Sequence, residues 1–267
     1  MRIVFLGSPP AAVPSLEALI AAGHDVALVV TQPDRRRGRG GDLIPTPVKA
    51  AAIEHAIPTT HVVDDALGVG AELGVVVAFG KIIKPHVLEA LPMINVHFSL
   101  LPRWRGAAPV ERAILAGDRE TGVCIMRVDV GLDTGDVFAS ERLAVDDDIT
   151  ADELTARLAD HGARLLVQTL DTGLTGATPQ EGEATYADKI SPDDLHLDLA
   201  RPADELVRVT RLGRAWTTAA GKRLIVWRAR VDESGAFEPV EVQPEGKGRM
   251  SYADWVRGAG SGLQLGS

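Results

Sequence analysis

The stretch that decides the fold of this chain is Ile94-Asn-Val-His-Phe-Ser-Leu-Leu-Pro-Arg-Trp-Arg-Gly-Ala-Ala-Pro109. It begins as a short apolar strand and breaks after His97 into a loop containing proline and glycine. Because side chains alternate along a strand, Asn95 and His97 are expected on one face at its end. An amide donor beside an imidazole can stabilise the oxyanion of a tetrahedral intermediate. The stretch therefore predicts a strand that ends in an active site.

A second run, Gly131-Leu-Asp-Thr-Gly-Asp136, places Asp133 between glycines. A carboxylate returning on such a loop could orient His97 and stabilise its protonated form. The three polar residues indicate acyl transfer without a nucleophilic serine or cysteine. A structural histidine and an ordinary turn are the alternative interpretation of the same residues.

The N-terminal segment predicts a buried parallel sheet. Arg2–Gly7 and Val26–Thr31 are apolar strands that flank a helix over Ala11–Ala22, and wholly apolar strands alternating with helices are typical of parallel sheets. A dinucleotide site with Asp34 as its acidic residue is disfavoured, because the turn Gly7-Ser-Pro-Pro10 lacks the glycine triplet that approaches a pyrophosphate.

These motifs closely resemble the formyltransferases that use 10-formyltetrahydrofolate, and among them the branch that formylates methionyl initiator tRNA in translation initiation. The resemblance implies a Rossmann-like, mostly parallel α/β catalytic domain over residues 1–200 and a small, abbreviated OB-like β-barrel domain over residues 201–267. It implies that Asn95, His97 and Asp133 are catalytic and that the amine attacks the formyl carbon directly.

The resemblance also implies where 10-formyltetrahydrofolate binds as co-substrate. The expected contacts are Ser99, Leu100, Leu101 and Pro102, together with Phe79, Gly80 and Ile82 after a buried strand that begins at Leu73. Ligands of such sheets lie outside the carboxyl ends of the strands, which agrees with this choice. Phe79 and Ile82 could instead belong to the core.

An arginine-rich segment, Thr31-Gln-Pro-Asp-Arg-Arg-Arg-Gly-Arg-Gly-Gly41, is the strongest local positive charge in the sequence. Arginines on a glycine-rich loop suit phosphate contacts, although a solvated charge run is the ordinary interpretation. In the formyltransferases that act on tRNA a matching loop contacts the acceptor end, which implies RNA binding by Arg36, Arg37 and Arg39. The family usually continues with two lysines, where this chain has Gly41 and Asp42.

Several further elements are predicted from caps and periodicity. The helices begin at Thr46-Pro47, Pro109, Thr150, Pro202 and Ser251, the C-terminal strands are Ala215–Thr217, Arg223–Val231 and Pro239–Val242, and Gly173–Glu183 is a surface loop. Where this chain has only Val231–Glu241, members of the family have some thirty residues more. This chain is therefore expected to lack strands of the barrel.

Composition narrows the function class. The net charge is −9, which excludes nucleic-acid binding over the whole surface and requires any RNA contact to be local. Cys124 is the only cysteine, and no two of the seven histidines are spaced as metal ligands on a helix, so neither a disulfide nor a metal site is expected. No membrane span and no signal pattern is expected either, and the chain is predicted to be cytoplasmic and, from the resemblance, monomeric.

Three other functions remain open at this point. An amino-sugar nucleotide formyltransferase shares the catalytic residues and needs no full tRNA-binding domain. A purine-ribonucleotide formyltransferase would lack the arginine-rich segment. A non-catalytic RNA-binding or folate-binding paralogue has no reason to keep Asn95, His97 and Asp133 together.

Overall fold

The computed structural model describes residues 1–36, 41–259 and 265–266 of the chain. Two compact units are formed from interleaved segments. The first unit comprises residues 1–109, 121–144 and 155–187, and the second comprises residues 110–120, 145–154 and 188–267. The predicted domain boundary at residue 200 stays a prediction.

The first unit is built on a seven-stranded sheet. The strands up to residue 187 are β1 Arg2–Gly7, β2 Asp25–Val30, β3 Arg35–Arg36, β4 Leu43–Ile44, β5 Thr59–Thr60, β6 Leu73–Val77, β7 Met93–His97, β8 Arg105–Gly106, β9 Glu120–Arg127, β10 Val137–Ala144 and β11 Tyr186–Ala187. The order in the large sheet is β10-β9-β7-β6-β1-β2-β5. β5, β2, β1, β6 and β7 run parallel, and β9 is antiparallel to β7. The predicted Rossmann-like, mostly parallel sheet is confirmed.

The helices begin largely where the capping residues predict. They are α1 Val13–Ala21, α2 Pro47–Glu54, α3 Pro85–Ala90, α4 Pro109–Ala116, α5 Ala151–Asp171, α6 Ala203–Thr210 and α7 Tyr252–Ala259. The Thr46 hydroxyl accepts the Lys49 backbone N–H at 3.1 Å. Thr150 and Glu153 bond reciprocally, since each side chain accepts the backbone N–H of the other, which satisfies two N–H groups that the helix itself leaves unpaired. None of the described helices is long and apolar enough to cross a bilayer.

The core explains why β1, β2 and β6 are parallel and central. Val4, Leu6 and Val30 are wholly buried and cluster with Phe79, Val87 and Met93. Strands that are covered on both faces carry continuous apolar residues, as the sequence of β1 does. Their carboxyl ends consequently form one edge of the sheet, at which Gly7, Val30 and Val77 lead into loops.

The second unit carries an antiparallel sheet in the order β12-β13-β14-β15. Its strands are β12 Ala215–Ala219, β13 Lys222–Val231, β14 Phe237–Pro244 and β15 Met250–Ser251. A short turn joins β13 to β14, in which Asp232 N–H donates to the Ala236 carbonyl. This turn lies where strands were expected to be missing. In the described residues the sheet is open, so the predicted OB-like barrel is not confirmed.

A close backbone approach makes Gly122 essential to the sheet. A Cβ atom at this position of β9 would lie 2.2 Å from the Glu141 carbonyl oxygen and 2.5 Å from the Leu100 side chain. Because backbone cannot yield as a flexible side chain does, we expect Gly122→Ala to lower the free energy of unfolding by about 3 kcal/mol, measured by urea titration. Gly68→Ala, which has open space around its Cβ, should change it by less than about 0.5 kcal/mol. Equal effects of the two substitutions would contradict this packing.

A half-buried ion pair in the second unit makes stability depend on pH. Arg112 Nη1 lies 2.7 Å from Asp194 Oδ1, and this bond, aided by the Ser191 hydroxyl and N–H, lowers the pKa of Asp194 from 3.8 to about 2 against the opposing effect of burial. A carboxyl with a lowered pKa stabilises the fold fully at pH values above its pKa in the unfolded chain. This stabilisation is lost as the pH falls through its pKa in the folded protein.

We therefore expect Asp194→Asn to lower the free energy of unfolding at pH 7 by roughly 2 kcal/mol. The difference from the unsubstituted chain should stay constant down to about pH 4 and shrink towards pH 2, because the unsubstituted carboxylate is then protonated as well. Unfolding titrations at a series of pH values measure this, with the exposed Asp193→Asn as control. A difference that grows on acidification would exclude the explanation.

Candidate active site

Asn95 and His97 lie two residues apart on β7, as the sequence predicts. β7 is paired on one side with β6 and on the other with β9, so that Asn95 is opposite Met126 and His97 is opposite Cys124. The two polar residues share one face of this strand by alternation. His97 is only 5% exposed, although it is polar. Such a buried imidazole requires hydrogen-bond partners.

One ring nitrogen of His97 is bonded to the backbone. Nε2 lies 2.9 Å from the carbonyl oxygen of Trp104, and because a carbonyl can only accept, Nε2 carries the proton. Nδ1 faces Asp133, with 3.7 Å between it and Oδ2. At this distance the two atoms are not hydrogen-bonded. Nε2 is therefore committed to the backbone, whereas Nδ1 faces the carboxylate without a bond to it.

Asp133 is held by its own side chain and by the loop around it. Its Oδ2 accepts the backbone N–H of Gly106 at 2.8 Å, and its backbone is in the left-handed region with a φ of 49°. Few non-glycine residues adopt this conformation, so the surrounding contacts must hold it. Gly135, two residues later, lies close to the backbone of Arg127. A Cβ at this position would be 2.1 Å from the Arg127 carbonyl oxygen, so only glycine allows this approach.

The structure brings in residues that the sequence did not indicate. Gln180 Nε2 donates to the carbonyl oxygens of Asp133 and Gly135, at 2.8 Å in each case, and its Oε1 accepts from Arg105. Gln180 lies in Gly173–Glu183, which composition predicts to be a surface loop. No local pattern distinguishes this glutamine from its neighbours, and only the fold relates it to Asp133.

Neither hydroxyl nor thiol near His97 is suited to act as a nucleophile. Cys124 is 1% exposed, and burial raises the pKa of its thiol to about 11, so it is not a thiolate at neutral pH. The Ser99 hydroxyl is fully buried and donates to the Arg103 carbonyl at 2.6 Å. Neither side chain is therefore available to form a covalent intermediate.

The residues predicted to contact folate differ in exposure. Phe79 is 3% exposed and belongs to the core cluster, and its carbonyl accepts from Gln32. Gly80 has a φ of 72° and is exposed. Ile82 is 92% exposed, which is unusual for an apolar side chain. Ser99 is buried, and the other members of its segment, Leu100, Leu101 and Pro102, are half-buried. Folate binding by these residues stays a prediction.

The first residues of the arginine-rich segment, Thr31 to Asp34, are fixed at the carboxyl edge of the sheet. Gln32 N–H donates to the Ser8 hydroxyl at 3.0 Å, and Gln32 Nε2 donates to the Phe79 carbonyl at 3.1 Å. Asp34, the candidate acidic residue of a dinucleotide site, is instead paired with Lys49 at 2.7 Å. These contacts connect the segment to the loops that follow β1 and β6.

Of the arginines predicted to bind RNA, the structure describes one. Arg36 lies on β3, which pairs antiparallel with β4, and its side chain is exposed. Arg37 and Arg39 lie outside the described residues. Among the residues that are described, no group of three histidine, cysteine, aspartate or glutamate side chains could hold a metal ion.

Comparison with known proteins assigns the chain to a family. Residues 1–170 match the family described as Formyl transferase. The methionyl-tRNA formyltransferase of Symbiobacterium thermophilum is 42% identical over all of this chain and 94% of its own length. That of Clavibacter sepedonicus is 45% identical over 97% of both proteins. The solved methionyl-tRNA formyltransferase from Clostridium thermocellum superposes with a TM-score of 0.69 over 93% of this chain and all of its own, at 19% identity, which supports the fold alone.

The alignment also shows a difference in length. It extends over 310 positions for the Symbiobacterium thermophilum relative, whereas this chain has 267 residues, so the relative contains stretches that this chain lacks. Identity at this level over nearly the whole of both proteins exceeds what a shared fold alone gives. The chain therefore belongs to the formyl transferase family, in the branch of the methionyl-tRNA formyltransferases.

Proposed function

We propose that this protein transfers the formyl group of 10-formyltetrahydrofolate to the α-amino group of methionyl initiator tRNA. The observation that carries the proposal is the buried His97, which donates to the Trp104 carbonyl through Nε2 and presents Nδ1 to Asp133 at 3.7 Å. Relatives at 42% and 45% identity are called methionyl-tRNA formyltransferases, which supports the same acceptor here.

The reaction exchanges one carbon–nitrogen bond for another. The neutral α-amine attacks the formyl carbon, and the tetrahedral intermediate then releases the folate nitrogen. The proton lost by the attacking amine goes to that departing nitrogen, so the products are N-formylmethionyl-tRNA and tetrahydrofolate. An α-amino group has an unperturbed pKa of about 7.7–8.0, which leaves a usable neutral fraction at pH 7. Direct attack agrees with the inert Cys124 thiol and the engaged Ser99 hydroxyl.

Each of the three polar side chains has a distinct role in this proposal. Asn95 donates its amide N–H to the formyl oxygen as it becomes anionic. Nδ1 of His97, which at 3.7 Å from Asp133 Oδ2 is not hydrogen-bonded to it, adds a second and charge-assisted donor in the protonated imidazole. Asp133, directly or through a water molecule, helps the proton move from the attacking amine to the leaving nitrogen. The left-handed backbone of Asp133 supports this assignment, since such conformations are concentrated at functional sites.

The folate segment is proposed from its position and its exposed apolar surface. Ile82 follows β6, the strand beside β7, and its 92% exposure suits a residue that an apolar ring system would cover. Phe79 and Gly80 precede Ile82 in the same loop, and Ser99 to Pro102 begin two residues after His97. We propose that these two loops hold the pterin. Folate then supplies the formyl group, while the protein supplies orientation and charge.

The arginine-rich segment is the proposed contact to tRNA. Arg36 is exposed, and its segment is rooted by the bonds of Gln32 to Ser8 and Phe79 and by the Asp34–Lys49 pair. Arg36, Arg37 and Arg39 would neutralise phosphates of the tRNA. The C-terminal sheet, which we propose derives from an OB-like barrel that has lost strands, would add a smaller share. We also propose that the enzyme acts as a monomer in the cytoplasm.

Removal of any one catalytic group should slow the chemical step. We expect Asn95→Ala and His97→Asn each to lower kcat by about 100- to 1000-fold, the usual cost of losing one donor to an oxyanion. Asp133→Asn should lower it by about 100- to 10,000-fold, the usual contribution of general acid–base catalysis. Formyl transfer from 10-formyltetrahydrofolate to methionyl initiator tRNA measures this. The exposed His61→Asn is the matched control and should retain activity. Near-normal turnover by the His97 or Asp133 variant would show that the assignment is wrong.

Loss of the arginines should weaken binding of the acceptor rather than of the donor. We expect the combined Arg36→Ala, Arg37→Ala and Arg39→Ala variant to raise KM for methionyl initiator tRNA, with KM for the folate unchanged. The slope of log affinity against log salt should become shallower by about 0.7–0.9 for each phosphate that the variant no longer neutralises. Arg164→Ala, an exposed arginine on α5, is the control.

The acceptor itself is tested in the same assay. Selective transfer to methionyl initiator tRNA over elongator methionyl-tRNA supports the proposal. For the arginines, a salt dependence of tRNA affinity that is the same with and without them would exclude them as phosphate contacts. Transfer to an amino-sugar nucleotide and to neither tRNA would overturn the acceptor while leaving the chemistry in place.

A further inference from the structure

The side-chain amide of Gln180 is hydrogen-bonded to two segments near His97. One is the loop that contains Asp133, and the other is β8, which contains Arg105. Its Nε2 lies 2.8 Å from each of the carbonyl oxygens of Asp133 and Gly135. Its Oε1 lies 3.1 Å from Arg105 Nε and 2.7 Å from Arg105 Nη2. Two donors and two acceptors therefore meet one side-chain amide, which uses its full hydrogen-bonding capacity.

Only one orientation of this amide satisfies its partners. With the amide reversed, the oxygen would face two carbonyl oxygens and the NH₂ group would face a guanidinium, so all four contacts would be repulsive. Arg105 always carries its charge and its donors. It thereby fixes Oε1 on its own side and turns Nε2 towards the loop of Asp133.

These contacts and one further bond hold Asp133 at both ends. Gln180 binds the carbonyl of Asp133, whose φ of 49° is unfavourable for a residue with a side chain. Gly106, which follows Arg105 in β8, binds the carboxylate through its N–H at 2.8 Å. β8 itself is kept in place by parallel pairing with β11, which begins six residues after Gln180.

We infer that Gln180 and Arg105 are positioning residues for formyl transfer, which act by fixing the carboxylate of Asp133 against His97. The inference rests on the proposed function for its kinetic consequences. Nδ1 and Oδ2 are 3.7 Å apart, so the pair has no short hydrogen bond of its own to preserve this geometry, and the fixed backbone must do so. Displacement of a catalytic group by about 1 Å can cost about 100-fold in rate.

Kinetics of a hydrophobic substitution test the inference. Gln180→Leu keeps the approximate size and removes all four bonds, and we expect it to lower kcat by about 100-fold with both KM values changed by less than about threefold. Gln168→Leu, an exposed glutamine on α5, is the matched control and should retain full activity. An effect on KM alone would overturn the inference.

A double-mutant cycle separates positioning from general stability. If Gln180 acts through Asp133, then Gln180→Leu should cause less than about threefold further loss in an Asp133→Asn background, measured in single turnover. A residue that only stabilises the fold would reduce activity by the same factor in both backgrounds. Additive losses would therefore refute the positioning role.

An isosteric variant removes only the two donated bonds. Gln180→Glu can still accept from Arg105, but as a carboxylate it has no hydrogen to donate to the carbonyl oxygens of Asp133 and Gly135. The guanidinium of Arg105 favours this ionised form at neutral pH, so we expect Gln180→Glu to lower kcat at pH 7 by at least about tenfold although both bonds to Arg105 are kept. Activity close to that of the unsubstituted enzyme would contradict the assigned bonds.

Crystal structures distinguish failure of this inference from failure of the proposed function. In Gln180→Leu the Asp133 carboxylate should be displaced from His97, whereas the bond of His97 to the Trp104 carbonyl should remain. An undisplaced Asp133 would overturn the positioning role whatever the acceptor is. If the unsubstituted enzyme fails to formylate methionyl initiator tRNA and Asp133 is nevertheless displaced in the variant, the acceptor is wrong and the positioning role stands.

Discussion

The site depends on a buried imidazole with one N–H committed to a backbone carbonyl. His97 is 5% exposed, and without its bond to the Trp104 carbonyl a buried donor would be left unsatisfied, at a cost of about 1–3 kcal/mol. Trp104 itself has a φ of 61°, which few residues with side chains adopt, and its own N–H is bonded to the Thr185 hydroxyl at 2.9 Å. Because the bond to Trp104 commits Nε2 of His97, Nδ1 is the nitrogen left for the proposed chemistry.

The same arrangement explains why a direct transfer mechanism suits the site better than a covalent one. A nucleophilic side chain needs an adjacent base to accept its proton. Here the imidazole already donates through Nε2, its other nitrogen faces a carboxylate, and the nearest thiol, Cys124, has a pKa of about 11. A donor-rich imidazole beside an amide stabilises negative charge on oxygen, whereas it cannot activate a hydroxyl. The attacking group must therefore arrive with the acceptor, as an amine does.

Sequence reasoning found those features whose causes are local and missed those whose causes are distant. Apolar runs predict β1, β2, β6 and β7, the Thr46 and Thr150 caps mark the starts of α2 and α5, and alternation along β7 pairs Asn95 with His97. Glycines at both ends of the Asp133 loop predict that the loop turns back and brings Asp133 to His97. Strands of two residues, such as β8 and β11, are too short to show a period. Gln180 is 47 residues from Asp133 and 75 from Arg105, and its surroundings have the composition of a loop, so nothing near it in the sequence indicates its role.

An acidic chain that acts on RNA must concentrate its positive charge near the reacting group. The net charge is −9, and the arginine-rich segment contains an acidic residue, Asp34, that could cancel part of its charge. Lys49, at the start of α2, binds Asp34 through both carboxylate oxygens, at 2.9 and 2.7 Å, so this aspartate does not compete for Arg35 or Arg36. The bonds from Gln32 root the segment beside the loops after β1 and β6, at the edge where β7 ends in His97. Because β1, β6 and β7 are parallel neighbours, the first residues of the arginine-rich segment and the imidazole proposed to act on the amine lie at the same edge of one sheet. The position of the segment in the chain thus brings its positive charge to the edge of the sheet that carries His97.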